Sequence, residues 1–506
     1  MDPSSSTPDI DMSDEARAAR RRANKTYKRL VVFCDGTGQQ TDSPSDPPKK
    51  EAKVAGDDSV IDWDDWVPAS NITRMCRILA DADVQPDGRE IEQLSFYQNG
   101  VATGALGWVN SAWNGAFGVG VNENVCEAYV WLCMNWIPGD EIFLFGFSRG
   151  AFTARAVAGL IRNLGLLERA SLGGLHSIYS MFEKRDEDDA HRKAWAEWAD
   201  VNLQDSAGAA RAPGQVDIKV VGVFDTVQSQ GLPRTAWIEN FGYNKKYTYH
   251  DTFISDNVEN ALQVLALDEF RPAFSPTLWF LPTNPSNKTV LRQTWFSGAH
   301  SDAGGSYSDA QPYDTADLSL LWMLQHTAPY LKWEVERLYT AFCREDQPTD
   351  TVEWIAAQPL HDSMTPTFKA AGRQARTPGA YRKMDGVRRP TGDVGPANER
   401  VHWSVRLRLL HAVHGHGVRT GQKMSGGWFG KGLKDEHGHP VWDVAHKFEC
   451  EAMKGFALKR RGAGWVWVKG DIELEEDPIS EMDHKFISDD DVPLLFDVAK
   501  SAGLHF

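Results

Sequence analysis

The run Ile142-Phe143-Leu144-Phe145-Gly146-Phe147 is apolar without alternation. A segment apolar on both faces is stable as a central strand of a parallel sheet covered by helices on each side. It ends in Gly146-Phe147-Ser148-Arg149-Gly150, and Arg149 to Leu164 follows with the apolar spacing of a helix. A G-x-S-x-G string between a buried strand and a helix sets its serine on a strained turn with the hydroxyl exposed, while the glycines keep side chains out of the close strand-helix crossing. A chain with this feature is committed to an α/β architecture.

The same rhythm recurs along the chain. Arg29 to Cys34 reads as a buried strand ending in the tight turn Asp35-Gly36-Thr37-Gly38. A helix is predicted from Asn71, taken as its N-cap, with Ile72, Met75, Ile78 and Leu79 as the apolar stripe. Glu92 to Tyr97 suggests a second strand, and a glycine-punctuated loop leads to a helix over about Asn122 to Trp136 that stops at Pro138-Gly139. Further strands are expected at Val216 to Phe224, Thr277 to Leu281 and Val290 to Phe296. Strands alternating with helices predict an α/β-hydrolase-like, doubly wound, mostly parallel sheet with helical insertions and a C-terminal extension.

Around that sheet, residues 1–28 are polar and charged and read as a flexible tail. The catalytic domain is expected over 29–344, with a surface insertion at 39–70 and a charged, Trp-containing helical insertion or lid at 166–214. Beyond 344 the rhythm fades, so 345–506 reads as a C-terminal extension or small accessory domain, with a strand at Gly464 to Val468.

Charge and cysteine usage exclude several classes of function. Lys and Arg total 54 against 70 Asp and Glu, a net charge of −16 that disfavours nucleic acid and anionic membrane surfaces as electrostatic partners. Six cysteines without C-x-x-C pairing fit a reducing compartment. The N-terminal stretch lacks the apolar core of a signal peptide, and no run of about 20 apolar residues suggests a transmembrane segment. A cytoplasmic protein is the expectation, with non-classical export and peripheral lipid contact left open.

A serine hydroxyl becomes a nucleophile only when a histidine takes its proton and a carboxylate holds that histidine in place. In this class of fold the order along the chain is serine, acid, histidine, each at the C-terminal end of a strand. Asp225, after Val220-Val221-Gly222-Val223-Phe224, and His300, after Trp295-Phe296-Ser297-Gly298-Ala299, meet both conditions. Asp302 competes as the acid, although two residues from His300 it is better placed to fix the loop. The oxyanion that forms needs two backbone N–H donors. One is expected from Arg149 and the other from Gly36 or Thr37, with Asp35 orienting their loop.

Taken together, Val32-Phe33-Cys34-Asp35-Gly36-Thr37, Asn71-Ile72-Thr73-Arg74, Tyr97-Gln98-Asn99-Gly100-Val101, the stretch Gly139 to Ala151, Phe224-Asp225-Thr226-Val227 and His300-Ser301-Asp302-Ala303-Gly304-Gly305 resemble one family. It is the α/β-hydrolase domain family that includes the type VI secretion phospholipase effectors, and the resemblance covers about residues 29 to 325. It implies cleavage of acyl chains from phospholipids by Ser148, Asp225 and His300, with a lipid or other acyl ester as substrate. No metal or organic cofactor is implied.

Two other classes of function compete with lipid hydrolysis: a binding scaffold on a retired hydrolase fold, and an esterase or thioesterase acting on a soluble substrate. His411, His414, His416, His437 and His439 suggest a metal site only weakly, since glycine-rich histidine loops usually sit at surfaces. Trp108, Trp113, Trp131 and Trp136 are candidates to line an acyl pocket, though helical spacing makes Trp131 and Trp136 core residues.

Overall fold

The computed structural model describes residues 27–37, 39, 69–100, 121–185, 188–203, 211–227, 254–282, 288–307, 314–335, 396–414, 450–461 and 464–479, with 355, 356, 358, 360–364, 368, 369 and 372–381. Most of the 39–70 insertion, Trp108, Trp113, His416, His437 and His439 lie outside them. Among the described residues eleven strands form one sheet: β1 (Lys28–Cys34), β2 (Ala82–Val84), β3 (Glu90–Gln98), β4 (Glu141–Phe147), β5 (Ile218–Phe224), β6 (Val258–Ala266), β7 (Val290–Phe296), β8 (Glu399–His402), β9 (Ala457–Arg461), β10 (Gly464–Lys469) and β11 (Ile472–Asp477). Their order is β2-β3-β1-β4-β5-β6-β7-β8-β11-β10-β9. The pairs from β3 through β11 in that order are parallel, and only β2 on β3 and the β11-β10-β9 meander are antiparallel. The fold is therefore α/β with a mostly parallel sheet.

Parallel strands need helical crossovers, and these cover both faces. The helices are α1 (Asn71–Ile78), α2 (Val121–Asn135), α3 (Arg149–Leu164), α4 (Leu175–Lys184), α5 (Asp189–Leu203), α6 (His300–Gly304), α7 (Thr315–Thr327) and α8 (Trp403–His414). Leu30, Val32, Ile142 and Leu144 point to one face, where they pack with Val125, Tyr129, Val157 and Ile161 of α2 and α3. Their neighbours Val31, Phe33, Phe143 and Phe145 point to the other, against Ile72 and Met75 of α1 and Leu320, Leu321 and Trp322 of α7. The two-residue period of a strand thus feeds two cores from one continuous apolar run.

The insertion helices α4 and α5 join the first core through Tyr179 and Phe182, with Trp195 and Trp198 packed partly against it. Trp131 and Trp136 belong to the same layer. A third core surrounds Trp295, Val401, Trp467 and Leu474, where the strands beyond residue 344 continue the sheet.

Two local expectations are corrected. Ser70, not Asn71, caps α1, its side chain accepting from Thr73 N, while Asn71 turns inward to Ala316 O and Ser319 Oγ. Thr277 to Leu281 is not a strand, and β6 takes the place beside β5. The segment is extended and apolar, but glutamine side chains replace its ladder: Gln293 bonds both N and O of Trp279, and Gln263 donates to Thr277 O.

Candidate active site

The sheet order reverses at β1, which lies between β3 and β4, and open α/β sheets form crevices beyond the C-terminal ends of their strands at such a point. Asp35 follows β1, Ser148 follows β4, Asp225 follows β5 and His300 opens α6 after β7. The topology therefore gathers residues as far apart in sequence as Asp35 and His300 at one end of the sheet.

Ser148 has φ 56° and ψ −121°, a conformation rare for any residue with a side chain. Its N–H extends the β4-β5 pairing by donating to Phe224 O at 3.1 Å, and the chain turns directly into α3. The flanking glycine is required by space. A Cβ on Gly150 would lie 2.5 Å from Asp35 O and closer still to Cys34 O, so the helix can cross β1 only without a side chain there. Asp225 repeats the strain one strand over, with φ 41°. Such backbone costs about 1–3 kcal/mol per residue and persists where the surroundings enforce it.

His300 is buried, stacked on Phe147 with ring centroids 4.8 Å apart and met edge-on by Phe274 at 5.0 Å. Its Nδ1 lies 2.6 Å from Asp225 Oδ2, whereas its Nε2 is buried with no hydrogen-bond partner among the described residues. No hydrogen bond joins Ser148 Oγ to that nitrogen, so the structure brings Asp225 and His300 into contact and leaves the serine unconnected. Catalytic hydrogen bonds are commonly loose until substrate is present.

The carboxylates have separable tasks. Asp225 accepts four donors: Ala266 N at 3.1 Å, His300 Nδ1, and both terminal nitrogens of Arg376 at 2.5 and 2.9 Å. Burial alone would raise its carboxyl, but the Arg376 charge and the hydrogen bonds of His300 and Arg376 hold it well below the usual carboxylate range. Asp302 accepts from Ala299 N at 2.8 Å and meets His361 Nδ1 at 2.5 Å, while the His300 ring meets Asp225. Glu269 accepts from His300 N at 3.3 Å, from Ser363 Oγ and from a bidentate Arg271.

The β1 loop is held by a dense set of hydrogen bonds on Asp35. Gly36 N donates to Asp35 Oδ1 at 2.6 Å, which leaves the N–H of Thr37 as the less engaged of the two expected donors. Asp35 also accepts from Ser70 Oγ, Thr73 Oγ1 and Tyr97 OH, which rigidify the loop. Thr37 stays in place through its hydroxyl, which accepts from Arg149 Nε. Arg149 N–H belongs to the first turn of α3, where helical N–H groups have no intrahelical acceptor. Burial lowers the Arg149 guanidinium to about 10.

Arg376, Arg271, Glu269, His361 and Ser363 were not anticipated from sequence. Arg376, His361 and Ser363 lie in irregular chain without hydrophobic periodicity, so no pattern marks them. No group of three or more metal-ligating side chains occurs among the described residues.

Residues 28–326 match the family model described as the catalytic domain of Tle1-like phospholipase effectors of the type 6 secretion system. The chain belongs to this family. The Tle1-like region runs from β1 nearly to the end of α7 and contains Ser148, Asp225 and His300, while Arg376 lies beyond it. An uncharacterised Saccharomyces cerevisiae protein is 27% identical over 229 residues, covering 42% of this chain and 30% of that protein. Among solved structures, the Tle1 effector bound to the VgrG spike is similar at 18% identity and a TM-score of 0.31, over 57% of this chain and 52% of that one. An uncharacterised protein from Pseudomonas aeruginosa is similar at 16% identity and a TM-score of 0.33, over 62% and 47%. The chain thus spans less than two thirds of the length of each. No described helix is long and apolar enough to cross a membrane.

Proposed function

We propose that the protein hydrolyses acyl esters of phospholipids, with Ser148 as nucleophile, His300 as base and Asp225 as the carboxylate that orients it. The observation that carries this reading is His300 itself. One ring nitrogen is fixed on a buried carboxylate, and the other is buried without a partner beside the strand end that bears the strained serine. Leaving a buried ring nitrogen unpaired costs roughly 1–3 kcal/mol, which an incoming proton donor recovers.

In the proposed reaction His300 Nε2 takes the Ser148 proton as Oγ attacks the ester carbonyl. Asp225 keeps Nδ1 protonated and stabilises the imidazolium. N–H groups of Arg149 and Thr37 hold the oxyanion. The imidazolium protonates the departing alcohol, and water then attacks the acyl-enzyme through the same histidine. Family membership supports the phospholipid class, and the Asp225–His300 contact supports the Ser-His-Asp assignment.

The test is labelling by a fluorophosphonate probe, followed by release of fatty acid from phosphatidylcholine vesicles. Wild-type protein is expected to take up the probe and release fatty acid, and Ser148→Ala to do neither. Equal turnover by Ser148→Ala would exclude the mechanism, and absence of labelling in the wild type would favour a binding scaffold.

A further inference from the structure

Arg376 is the foremost charge acting on the Asp225 carboxylate, and it comes from outside the segment that defines the family. It is 151 residues from Asp225 in sequence and 3% exposed. Nη1 donates to Asp225 Oδ1 at 2.5 Å and to Ala266 O at 2.7 Å, while Nη2 donates to Asp225 Oδ2 at 2.9 Å and to Phe274 O at 2.8 Å. Oδ2 is the oxygen that also faces His300 Nδ1.

A buried carboxylate alone against a histidine brings a full negative charge to the ring and favours the imidazolium. Here a guanidinium shares the oxygen: Arg376 Nη2 lies 2.9 Å and His300 Nδ1 2.6 Å from Asp225 Oδ2, which sets a positive charge just beyond the carboxylate. The other charged groups around His300 do not reverse the balance. Glu269, which meets the backbone N of His300, is held bidentately by Arg271. Asp302, two residues on, is engaged by His361, and Asp268 accepts from Gly298 N in the turn before the histidine. The two carboxylates in contact with His300 thus each carry their own arginine.

We propose that Arg376 is a positioning residue of the hydrolytic site: its fork fixes the Asp225 carboxylate in the plane that meets His300 Nδ1, and its charge offsets part of the carboxylate's charge at the ring. The inference rests on the hydrolase reading above. Two effects follow that a purely structural arginine would not produce together. The fork sets the rate at its plateau, because the carboxylate must lie in the plane that receives Nδ1–H. The charge sets where the rate falls on the acid side.

The experiment measures fluorophosphonate labelling rates of the full chain between pH 4 and 9 for wild type, Arg376→Lys, Arg376→Gln and the Ser148→Ala control. Arg376→Gln is expected to move the acid limb up by about two pH units, the shift a nearby unit charge produces in a medium of intermediate dielectric. Arg376→Lys keeps the charge and loses the fork, so its limb stays within about half a unit of wild type while its plateau falls at least about tenfold. Superimposable limbs for wild type and Arg376→Gln, or equal losses without displacement in both variants, overturn the inference. If Arg376→Gln does not fold, as loss of its circular dichroism reports, Arg376→Lys decides alone: a displaced limb or a wild-type plateau overturns the proposal. A wild type that takes no label at any pH instead overturns the hydrolase reading, and the role of Arg376 with it.

Discussion

Replacing Asp225 with Asn tests the core of the site with almost no change of shape. Four donors converge on the two carboxylate oxygens: Ala266 N and Arg376 Nη1 on Oδ1, His300 Nδ1 and Arg376 Nη2 on Oδ2. An amide offers one acceptor and one NH2, so in either orientation it turns a donor toward two of these donors. Arg376 then stays buried without its charge partner, and breaking a buried pair from one side costs about 3–5 kcal/mol. An NH2 toward His300 also forces the ring into the wrong tautomer, which in serine hydrolases lowers turnover by about 10⁴.

Turnover of a soluble p-nitrophenyl ester and thermal unfolding between pH 3 and 8 read both effects. Because the Asp225 carboxyl is held below its ordinary range in the folded protein, its stabilising contribution is full above about pH 4 and fades as pH falls further. The gap in stability between wild type and Asp225→Asn should therefore be wide at neutral pH and narrow below about pH 4. A variant within tenfold of wild-type turnover would refute the assignment of Asp225 to the chemistry. An unchanged unfolding temperature at pH 7 would refute the energetic account of the Arg376 pair.

Gly150→Ala should destabilise the protein by about 1–3 kcal/mol, because the new methyl meets the carbonyls of Cys34 and Asp35 and α3 must lift from β1. Its fluorophosphonate labelling should fall although Ser148 is intact, and an unaltered melting curve with full labelling would show that the crossing can relax. Asp268→Asn should stabilise the protein at alkaline pH. Burial raises the Asp268 carboxyl to about 7, and its Oδ1 has no partner, so stability available below about pH 4 is lost as pH rises through 7. Unfolding temperatures at pH 5 and 8.5 check this, and a variant no better than wild type at pH 8.5 contradicts it.

What could be seen in the sequence follows from what local pattern records. Phe143 to Phe147 reads as a covered strand, and the placement of Ser148, Asp225 and His300 at or after strand ends was legible for the same reason. Thr277 to Leu281 misled because an extended apolar segment has the same pattern whether its ladder is backbone or, as here, the side chains of Gln263 and Gln293. β6 was overlooked because Glu259, Asn260 and Gln263 interrupt its apolar run. The contact that engages Gly36 N was legible: an aspartate directly before a glycine tends to capture a neighbouring N–H, and Asp35 does so. Arg376 had no such signal. Its role exists only in tertiary contact.

That contact bears on how the site is built along the chain. The segment matched by the family supplies serine, acid and histidine, yet buried groups within it are satisfied from beyond it. Asp225 needs Arg376, Asp302 is met by His361, and Glu269 receives Ser363. Deeper in the sheet, Thr294 Oγ1 and Trp322 Nε1 both donate to Asp477, Trp295 Nε1 donates to Glu399, and β8 pairs with β7. Each buried polar group left without its partner costs about 1–3 kcal/mol, and domains have only about 5–15 kcal/mol of stability in total. A chain ending near residue 344 would lose several of these partners at once. The chain beyond residue 344 is therefore part of what holds Asp225 and His300 in place, and the geometry of the proposed site depends on contacts from both sides of that point.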